Sequence, residues 1–186
     1  AKYYDAGTTV SIKNGGGIRS SIGYVNAVGS IVAYEPPQAN PAAGKLQGDI
    51  SQLDIENSLR FNNQLSVLSL TASGLRTILE HGVRATAAGA TPGQFPQVAG
   101  VRFSFDPSLP QMARIRSAVI VDALGNNIDT LVSNGITYGD TARIFRVVTL
   151  NFLASGGDSY PFNTLGTARI DLPTLPPAGP GLAGFT

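Results

Sequence analysis

Two glycine-rich stretches of the chain carry residue types that are able to bind a ligand. The first reads NGGGIR at residues 14–19 and follows an alternating, strand-like run at 8–13. Glycines leave their backbone amides unshielded, so a phosphate or the edge of a base can approach them closely. Arg19 places a planar cation beside them. The same residues also fit an ordinary turn followed by a surface arginine, and the motif alone leaves both interpretations open.

The second stretch, NFLASGGDSYPF at residues 151–162, again follows a strand-like run. It combines Phe152, Gly157 and Asp158. The ring offers a stacking surface for a base, worth about 1–3 kcal/mol per base in single-strand binders, and the carboxylate accepts hydrogen bonds from ribose hydroxyls. The alternative is a core phenylalanine next to a tight turn. Phe61, between a predicted helix and a predicted strand, is open to the same two interpretations.

The chain offers few metal ligands. It has one histidine, His81, twelve acidic residues without metal-binding spacing, and no cysteine. Zinc and two-metal centres need several histidines or carboxylates that converge on one point. We therefore expect no catalytic metal in this chain. His81 lies in the middle of a predicted helix beside Gly82, which favours a structural or surface position, and we assign it no functional role.

Composition narrows the classes of partner. Hydrophobic residues make up 42% of the 186, which suits one folded domain, or one domain with a tail. Charged residues make up 13%, about half of the roughly 25% found in soluble domains. With a net charge of +1 and no basic run, the chain lacks the positive surface that duplex nucleic acid or an anionic membrane requires. No apolar run approaches the roughly 18 residues of a membrane span.

Local signals in the first half predict two capped helices among strands. Ser51 followed by Asp54 is close to a capping box. Thr71 precedes apolar residues at helical spacing and is suited to cap a second helix. The predicted elements are a strand at 8–13, an irregular excursion at 26–47, a short helix at 50–59, a strand at 64–70 and an amphipathic helix at 71–86.

The second half is rich in β-branched and aromatic runs, which favour strands. Strands and helices do not alternate regularly, so we predict an α+β fold, a single domain with a mixed, largely antiparallel sheet packed against helices. Residues 1–170 are expected to form this domain, and residues 171–186, rich in proline and glycine, a tail or linker. The predicted elements are strands at 97–106, 113–122 and 142–150, with a turn at 124–127.

Five motifs follow one another along the chain: NGGGIR (14–19), GDISQLDIENSLRF (48–61), LSLTASGLRTILEHGV (68–83), FPQVAGVRFSFD (95–106) and NFLASGGDSYPF (151–162). Together they resemble the C-terminal domain of the 5'-nucleotidases, a family that includes ecto-5'-nucleotidases and bacterial UDP-sugar hydrolases. The similarity extends over about residues 7–165. Five motifs in the right order make the resemblance specific, and it implies a fold like that of the family's C-terminal domain.

The resemblance implies a role for each matched residue. Asn14 and Arg19 hold the first and last places of the family's Asn-Gly-Gly-Gly-Ile-Arg motif, where the Asn contacts the base and the Arg contacts phosphate and ribose. Phe61 and Phe152 fall on the two stacking phenylalanines, so an adenine would lie between their rings. Asp158 falls on the ribose-binding aspartate. The implied binding set is Asn14, Gly15, Gly16, Gly17, Arg19, Phe61, Phe152, Gly157 and Asp158.

In this family a separate N-terminal, calcineurin-like domain holds two divalent metal ions and the catalytic His and Asp. This chain matches only the C-terminal domain, so the resemblance implies a substrate-binding part of a phosphoric ester hydrolase that is inactive alone. The implied substrate is a nucleoside mono- or diphosphate or a nucleotide sugar, and the implied location is extracytoplasmic. The alternative is a non-catalytic nucleotide-binding or structural module of a secreted or surface protein.

The chain departs from the family pattern at three points. Asn62 and Asn63 follow Phe61, where the family often has two glycines, and could narrow the base pocket or change its polarity. The connection from the glycine motif to Phe61 is longer than usual, with 26–47 inserted. A further phosphate-binding Arg of the family precedes the glycine motif, in a helix that this sequence does not include. These departures leave the preferred nucleotide open.

Overall fold

A computed structural model describes residues 5–28 and 31–172. The chain forms two compact units. Unit 1 takes in the chain up to Gly15 and from Asn63 onward, and unit 2 consists of Gly16–Asn62. The main hydrophobic core lies entirely within unit 1.

The strands of the described residues follow the predicted runs with several additions. In chain order they are β1 (Thr8–Asn14), β2 (Tyr24–Val28), β3 (Ile31–Glu35), β4 (Leu65–Thr71), β5 (Pro96–Ala99), β6 (Val101–Phe105), β7 (Ile115–Val121), β8 (Asn127–Ser133), β9 (Ile136–Thr137), β10 (Ile144–Leu150) and β11 (Thr167–Asp171).

Two helices begin at the residues that the sequence indicates. The Ser51 hydroxyl accepts from the Asp54 amide while the Asp54 carboxylate accepts from the Ser51 amide, which completes the capping box. Thr71 caps the second helix through Gly74 N–H. The helices are α1 (Gln52–Ser58), α2 (Ala72–Val83), α3 (Asn151–Ala154) and α4 (Phe162–Leu165), with single 3₁₀ turns at Gly15–Gly17, Pro41–Ala43 and Gly157–Ser159.

The larger sheet of unit 1 has the order β11-β4-β10-β1-β5. Only β1 and β10 run parallel, and the other neighbouring strands are antiparallel. This is the mixed, largely antiparallel sheet that the sequence predicts. Helix α2 buries Leu75, Ile78, Leu79 and Val83, the apolar residues whose helical spacing predicts it. They join Val10 and other residues of the sheet in the main core.

A second, antiparallel sheet of unit 1 has the order β6-β7-β8-β9. The prediction of a single strand at 97–106 is wrong. Gly100 divides this stretch into β5, which belongs to the first sheet, and β6, which belongs to the second. Gly100 has a φ of +76°, and a Cβ there would overlap the Thr9 carbonyl oxygen, so the chain turns at this glycine. The predicted turn at 124–127 leads into β8, and just before this strand the Asp122 N–H donates to the Asn126 carbonyl at 3.0 Å.

Unit 2 contains the hairpin of β2 and β3, followed by α1. The prediction of an irregular excursion at 26–47 is therefore wrong up to residue 35, because β2 and β3 lie there. Its prolines lie in the later part of that range, so they interrupt regular structure only after β3 has ended. At the start of α1, hydrogen bonds from Ser51 and then from Lys45, at 2.9 Å, lower the pKa of Asp54 to about 2.

Strand β11 extends to Asp171, and Leu172 after it is buried. The first two residues of the predicted tail thus belong to the ordered sheet region, and residues 173–186 lie outside the described residues. The sequence patterns missed β11 together with β8 and β9. Within 5–28 and 31–172 no helix is long and apolar enough to cross a membrane.

Candidate functional site

Parallel pairing of β1 with β10 brings the two glycine-rich motifs to one edge of the larger sheet. Ser11 of β1 lies opposite Val148 of β10, so both strands end at nearly the same level. Asn14 is the last residue of β1. Strand β10 passes directly into α3, which carries Phe152 as its second residue. The parallel pairing thus explains how residues so far apart in sequence come together.

Asn14 and Asp158 form the central contact of this edge. The Asn14 side-chain amide donates from Nδ2 to Oδ2 of Asp158 at 2.6 Å. A carboxylate only accepts, so the contact fixes which way the Asn14 amide points. Asn14 is 5% exposed, whereas Asp158 is an exposed residue.

The Asn14 carbonyl oxygen, Oδ1, is buried and has no hydrogen-bond partner among the described residues. Leaving a buried acceptor unsatisfied costs about 1–3 kcal/mol, so such atoms are rare in folded proteins. This oxygen belongs to the side chain that is bonded to the exposed Asp158, and it needs a donor that the described residues do not supply. A nucleobase amino group is one such donor.

Phe152 and Gly157 pack against each other beside this pair. Phe152 is 44% exposed. A Cβ on Gly157 would lie 2.5 Å from the ring carbons Cε2 and Cζ, so only glycine lets the ring rest on the turn. The exposed part of the ring is available for stacking. Asn14, Phe152, Gly157 and Asp158, all in unit 1, are called the carboxylate cluster below.

Gly15 also belongs to unit 1, but its amide is already used. The Gly15 N–H donates to the Phe95 carbonyl at 2.8 Å, just ahead of β5. A Cβ at this position would lie 3.3 Å from the same oxygen. Gly15 therefore permits a close approach of two backbone segments and does not present a free amide to a ligand.

The remaining predicted site residues lie in unit 2. The Arg19 guanidinium lies 5.7 Å from the centroid of the Phe61 ring, a cation–π arrangement, and donates to the Gly16 carbonyl at 3.2 Å. The Arg19 amide donates to the Ser58 carbonyl at 2.8 Å, which ties the glycine motif to the end of α1. Phe61 is 56% exposed. Gly16, Gly17, Arg19 and Phe61 are called the arginine cluster below.

Asn62 occupies a position where the family often has glycine. Its φ is +48°, in the left-handed region, and its amide donates to the Leu59 carbonyl at 3.4 Å. Asparagine adopts this conformation more readily than most residues do. The departure from glycine at this position is therefore conformationally conservative, and it adds a polar side chain next to Phe61.

His81, to which the sequence assigns no role, is 5% exposed and lies against the carboxylate cluster. Its Nε2 is 3.0 Å from the Asp158 carbonyl oxygen, and its ring centroid is 4.5 Å from that of Tyr160. Burial lowers the pKa of His81 and raises that of Tyr160. In the sequence, His81 is a lone histidine in the middle of a predicted helix next to Gly82, and this pattern is too common to indicate a site.

The described residues contain no group of three or more His, Cys, Asp or Glu side chains that could hold a metal ion. The buried Glu80 is used structurally, because its carboxylate accepts from the backbone amides of Arg114 and Ile115 at 2.9 and 3.0 Å. Arg76 lies 3.6 Å away as an ion-pair partner. Glu80 thus links α2 to β7.

Comparison with known proteins gives consistent results. The family model for the 5'-nucleotidase C-terminal domain matches residues 1–166. The trifunctional nucleotide phosphoesterase protein YfkN of Bacillus subtilis is 30% identical over 167 residues, which is 90% of this chain and 9% of that protein. The chain therefore spans only a small part of this relative.

Solved structures agree on the fold. The 5'-nucleotidase precursor from Thermus thermophilus superimposes with a TM-score of 0.64 at 29% identity, over 91% of this chain and 27% of that one. The NAD nucleotidase of Haemophilus influenzae gives a TM-score of 0.60 at 19% identity, over 89% of this chain and 25% of that one, and shows likeness of fold alone. With the match of the family model to residues 1–166, we conclude that the chain belongs to the family of 5'-nucleotidase C-terminal domains.

Proposed function

We propose that this chain is the nucleotide-binding, substrate-specificity domain of a metal-dependent 5'-nucleotidase, an enzyme that hydrolyses nucleoside phosphates to nucleoside and phosphate. Its ligand is a nucleoside mono- or diphosphate or a nucleotide sugar. Its partner is the N-terminal metallophosphoesterase domain of the same protein, and the enzyme acts outside the cytoplasm. Support comes from the family membership and from the geometry of the carboxylate cluster.

The unpartnered Asn14 oxygen is the observation that carries the proposal. It is a buried acceptor held in place by the bond from Asn14 Nδ2 to Asp158. An amino group on the edge of a base would satisfy it and recover the energy of the unmade hydrogen bond. The second carboxylate oxygen of the exposed Asp158, Oδ1, would accept from a ribose hydroxyl. Base and ribose recognition would then share one hydrogen-bonded pair.

Stacking supplies the apolar part of the recognition. Phe152 in unit 1 and Phe61 in unit 2 are both about half exposed, so each ring offers a face to a base. Stacking on an aromatic ring contributes about 1–3 kcal/mol per base and tolerates different bases. We therefore assign base affinity to the rings and base selectivity to Asn14.

Arg19 is the proposed phosphate ligand. Its guanidinium is exposed and lies over Phe61, so it can turn towards an anion without leaving a buried charge behind. A guanidinium can bind phosphate oxygens through two parallel hydrogen bonds. Arg19 would therefore distinguish a nucleotide from its nucleoside.

The side chains of the described region do not fit a metal pair. We accordingly assign the two divalent ions and the water-activating chemistry to the N-terminal domain of the same protein. The contribution of this chain is positioning, which is itself catalytic when it holds the ester in a reactive geometry.

Ligand titration followed by NMR tests the proposal. AMP added to the ¹⁵N-labelled chain should shift the Asn14 side-chain amide signal together with backbone signals around Phe152. Phe152→Ala should weaken AMP binding about tenfold or more, the value of one lost stacking contact. Tyr138→Ala, which removes an exposed aromatic next to the second sheet, is the matched control and should bind like wild type. Equal affinity of wild type and Phe152→Ala, or shifts confined to other regions, would contradict the proposal.

A further inference from the structure

We propose that His81 is a positioning residue of the nucleoside site, holding the backbone of Asp158 so that its carboxylate stays on Asn14. The inference rests on the proposed function, because the carboxylate it concerns is the proposed ribose ligand. It adds a residue that lies outside the glycine-rich motifs and contacts no ligand itself.

The contact between His81 and Asp158 has a defined direction. His81 lies in the last turn of α2, and its Nε2 is 3.0 Å from the Asp158 carbonyl oxygen. A carbonyl oxygen only accepts, so the proton of the imidazole must be on Nε2. The structure thereby specifies the tautomer of His81 as well as its position.

The turn that carries Asp158 needs such an anchor. Asp158 has φ 51° and ψ 24°, and Ser159 has φ 59°, so two consecutive residues other than glycine are left-handed. This conformation is uncommon for residues with a Cβ and persists where surrounding contacts enforce it. The hydrogen bond from His81 to the Asp158 carbonyl is a contact of this kind. It holds the backbone of Asp158, the residue whose carboxylate accepts from Asn14.

His81 is itself held from several sides. Its ring lies 4.5 Å from that of Tyr160, measured between centroids. The Tyr160 hydroxyl donates to the Gln94 carbonyl at 2.6 Å, and the Gln94 side chain donates back to the His81 carbonyl at 3.1 Å. These contacts form a closed ring that fixes α2 against the turn. A Cβ on Gly82 would lie 2.7 Å from the Tyr160 hydroxyl, so glycine at this position is part of the same arrangement.

Two substitutions separate the hydrogen bond from the packing. His81→Phe keeps a ring against Tyr160 and removes the N–H, whereas His81→Gln places an amide N–H near the position of Nε2. In the chain without ligand, His81→Phe should shift the Asn14 side-chain amide signal, because the Asp158 carboxylate is released. His81→Gln should leave that signal near its wild-type position.

Binding supplies a second readout. For each variant, the affinity for adenosine is divided by the affinity for 2',3'-dideoxyadenosine, which stacks but lacks the 2'- and 3'-hydroxyls of the ribose. His81→Phe should reduce this ratio about tenfold, the value of a hydrogen bond of ordinary strength, while affinity for the dideoxy compound is unchanged. His81→Gln should retain the ratio. A general loss of stability would lower both affinities and leave the ratio unaltered.

Wild type alone provides a check that holds even if a variant fails to fold. The ¹⁵N shifts of the imidazole should show a proton on Nε2, and a proton on Nδ1 alone overturns the inference. An unchanged Asn14 signal in His81→Phe also overturns it. If wild type binds no nucleoside, the proposed function fails and so does the role of His81 in ribose binding, whereas the Asn14 signal still decides whether His81 positions Asp158.

Discussion

The two clusters of candidate site residues differ in how they are held. The carboxylate cluster lies at the ends of the paired strands β1 and β10, and Asn14 is buried there. Asp158 accepts a hydrogen bond from Asn14 through its side chain and one from His81 through its backbone carbonyl. The arginine cluster is held by a backbone hydrogen bond to the end of the short helix α1, and its two side chains, Arg19 and Phe61, are exposed. Rigid placement suits the recognition of directional donors on base and ribose, whereas a guanidinium can recognise a phosphate through the planar geometry of its own donors. Substitutions in the two clusters should therefore have different consequences.

Removing the carboxylate should give the largest effect. Asp158→Ala leaves Asn14 Nδ2 without its acceptor and removes the proposed ribose ligand. Hydrogen bonds to charged groups contribute about 1.5–3 kcal/mol, so affinity for adenosine should fall about thirtyfold, as measured by isothermal titration. Glu56→Ala, which removes an exposed charge of α1, should bind like wild type. A similar loss in both variants would mean that net charge, and not the cluster, determines binding.

Displacing the ring should have the next largest effect. Gly157→Ala puts a methyl group 2.5 Å from the Phe152 ring, so the ring must move off the turn. Affinity for both adenosine and dideoxyadenosine should fall about tenfold, because stacking is common to both ligands. Ser155→Ala, in the same segment, serves as the control. Unchanged affinity in Gly157→Ala would show that the ring position is irrelevant to binding.

A substitution in the arginine cluster should affect the phosphate alone. Arg19→Ala should weaken AMP binding about fivefold, because exposed charge pairs contribute up to about 1 kcal/mol, and should leave adenosine binding unchanged. In the proposed 5'-nucleotidase that contains this domain, the same change should lower kcat/KM for AMP more than for a small generic phosphate ester. Arg60→Ala, an exposed neighbour in the same unit, is the control. Equal losses for AMP and adenosine would remove the proposed division between the clusters.

The pH dependence of stability should show the smallest effect. Burial lowers the pKa of His81 below its ordinary value of 6.5, so the unfolded chain binds more protons at this site than the folded chain. The contribution of neutral His81 to the free energy of unfolding is fully present above pH 6.5. It is lost as the pH falls through the lowered pKa that His81 has in the folded chain. Urea unfolding between pH 7 and pH 5 should show this decrease in wild type and a smaller one in His81→Phe. Parallel curves for the two proteins would contradict it.

Local signals predicted the parts of the fold that local physics determines. The Ser51 capping box and the Thr71 cap depend on residues three apart, so α1 and α2 could be found from the sequence. The division at Gly100 could not, because it depends on the Thr9 carbonyl in another strand. The hairpin of β2 and β3 was missed because nearby prolines outweighed two short β-branched runs.

The candidate site shows the same limit. The motifs name Asn14 and Asp158, but their bond depends on the parallel pairing of β1 with β10, which no local pattern indicates. The role of His81 depends on the left-handed turn at Asp158, and its one-residue signal is indistinguishable from that of a core histidine. The occupied amide of Gly15 was likewise visible only once β5 was in place.

The most direct test of the central claim is an assay of phosphate release and AMP binding on the same samples. The 186-residue chain, with Mn²⁺, Zn²⁺ or Mg²⁺, should bind AMP and release no phosphate. A longer form of the protein that includes its upstream sequence should release phosphate in a metal-dependent manner, and Phe152→Ala should impair that release. Metal-dependent release by the short chain at a rate comparable with the longer form, after contaminating phosphatase has been excluded, would contradict the account.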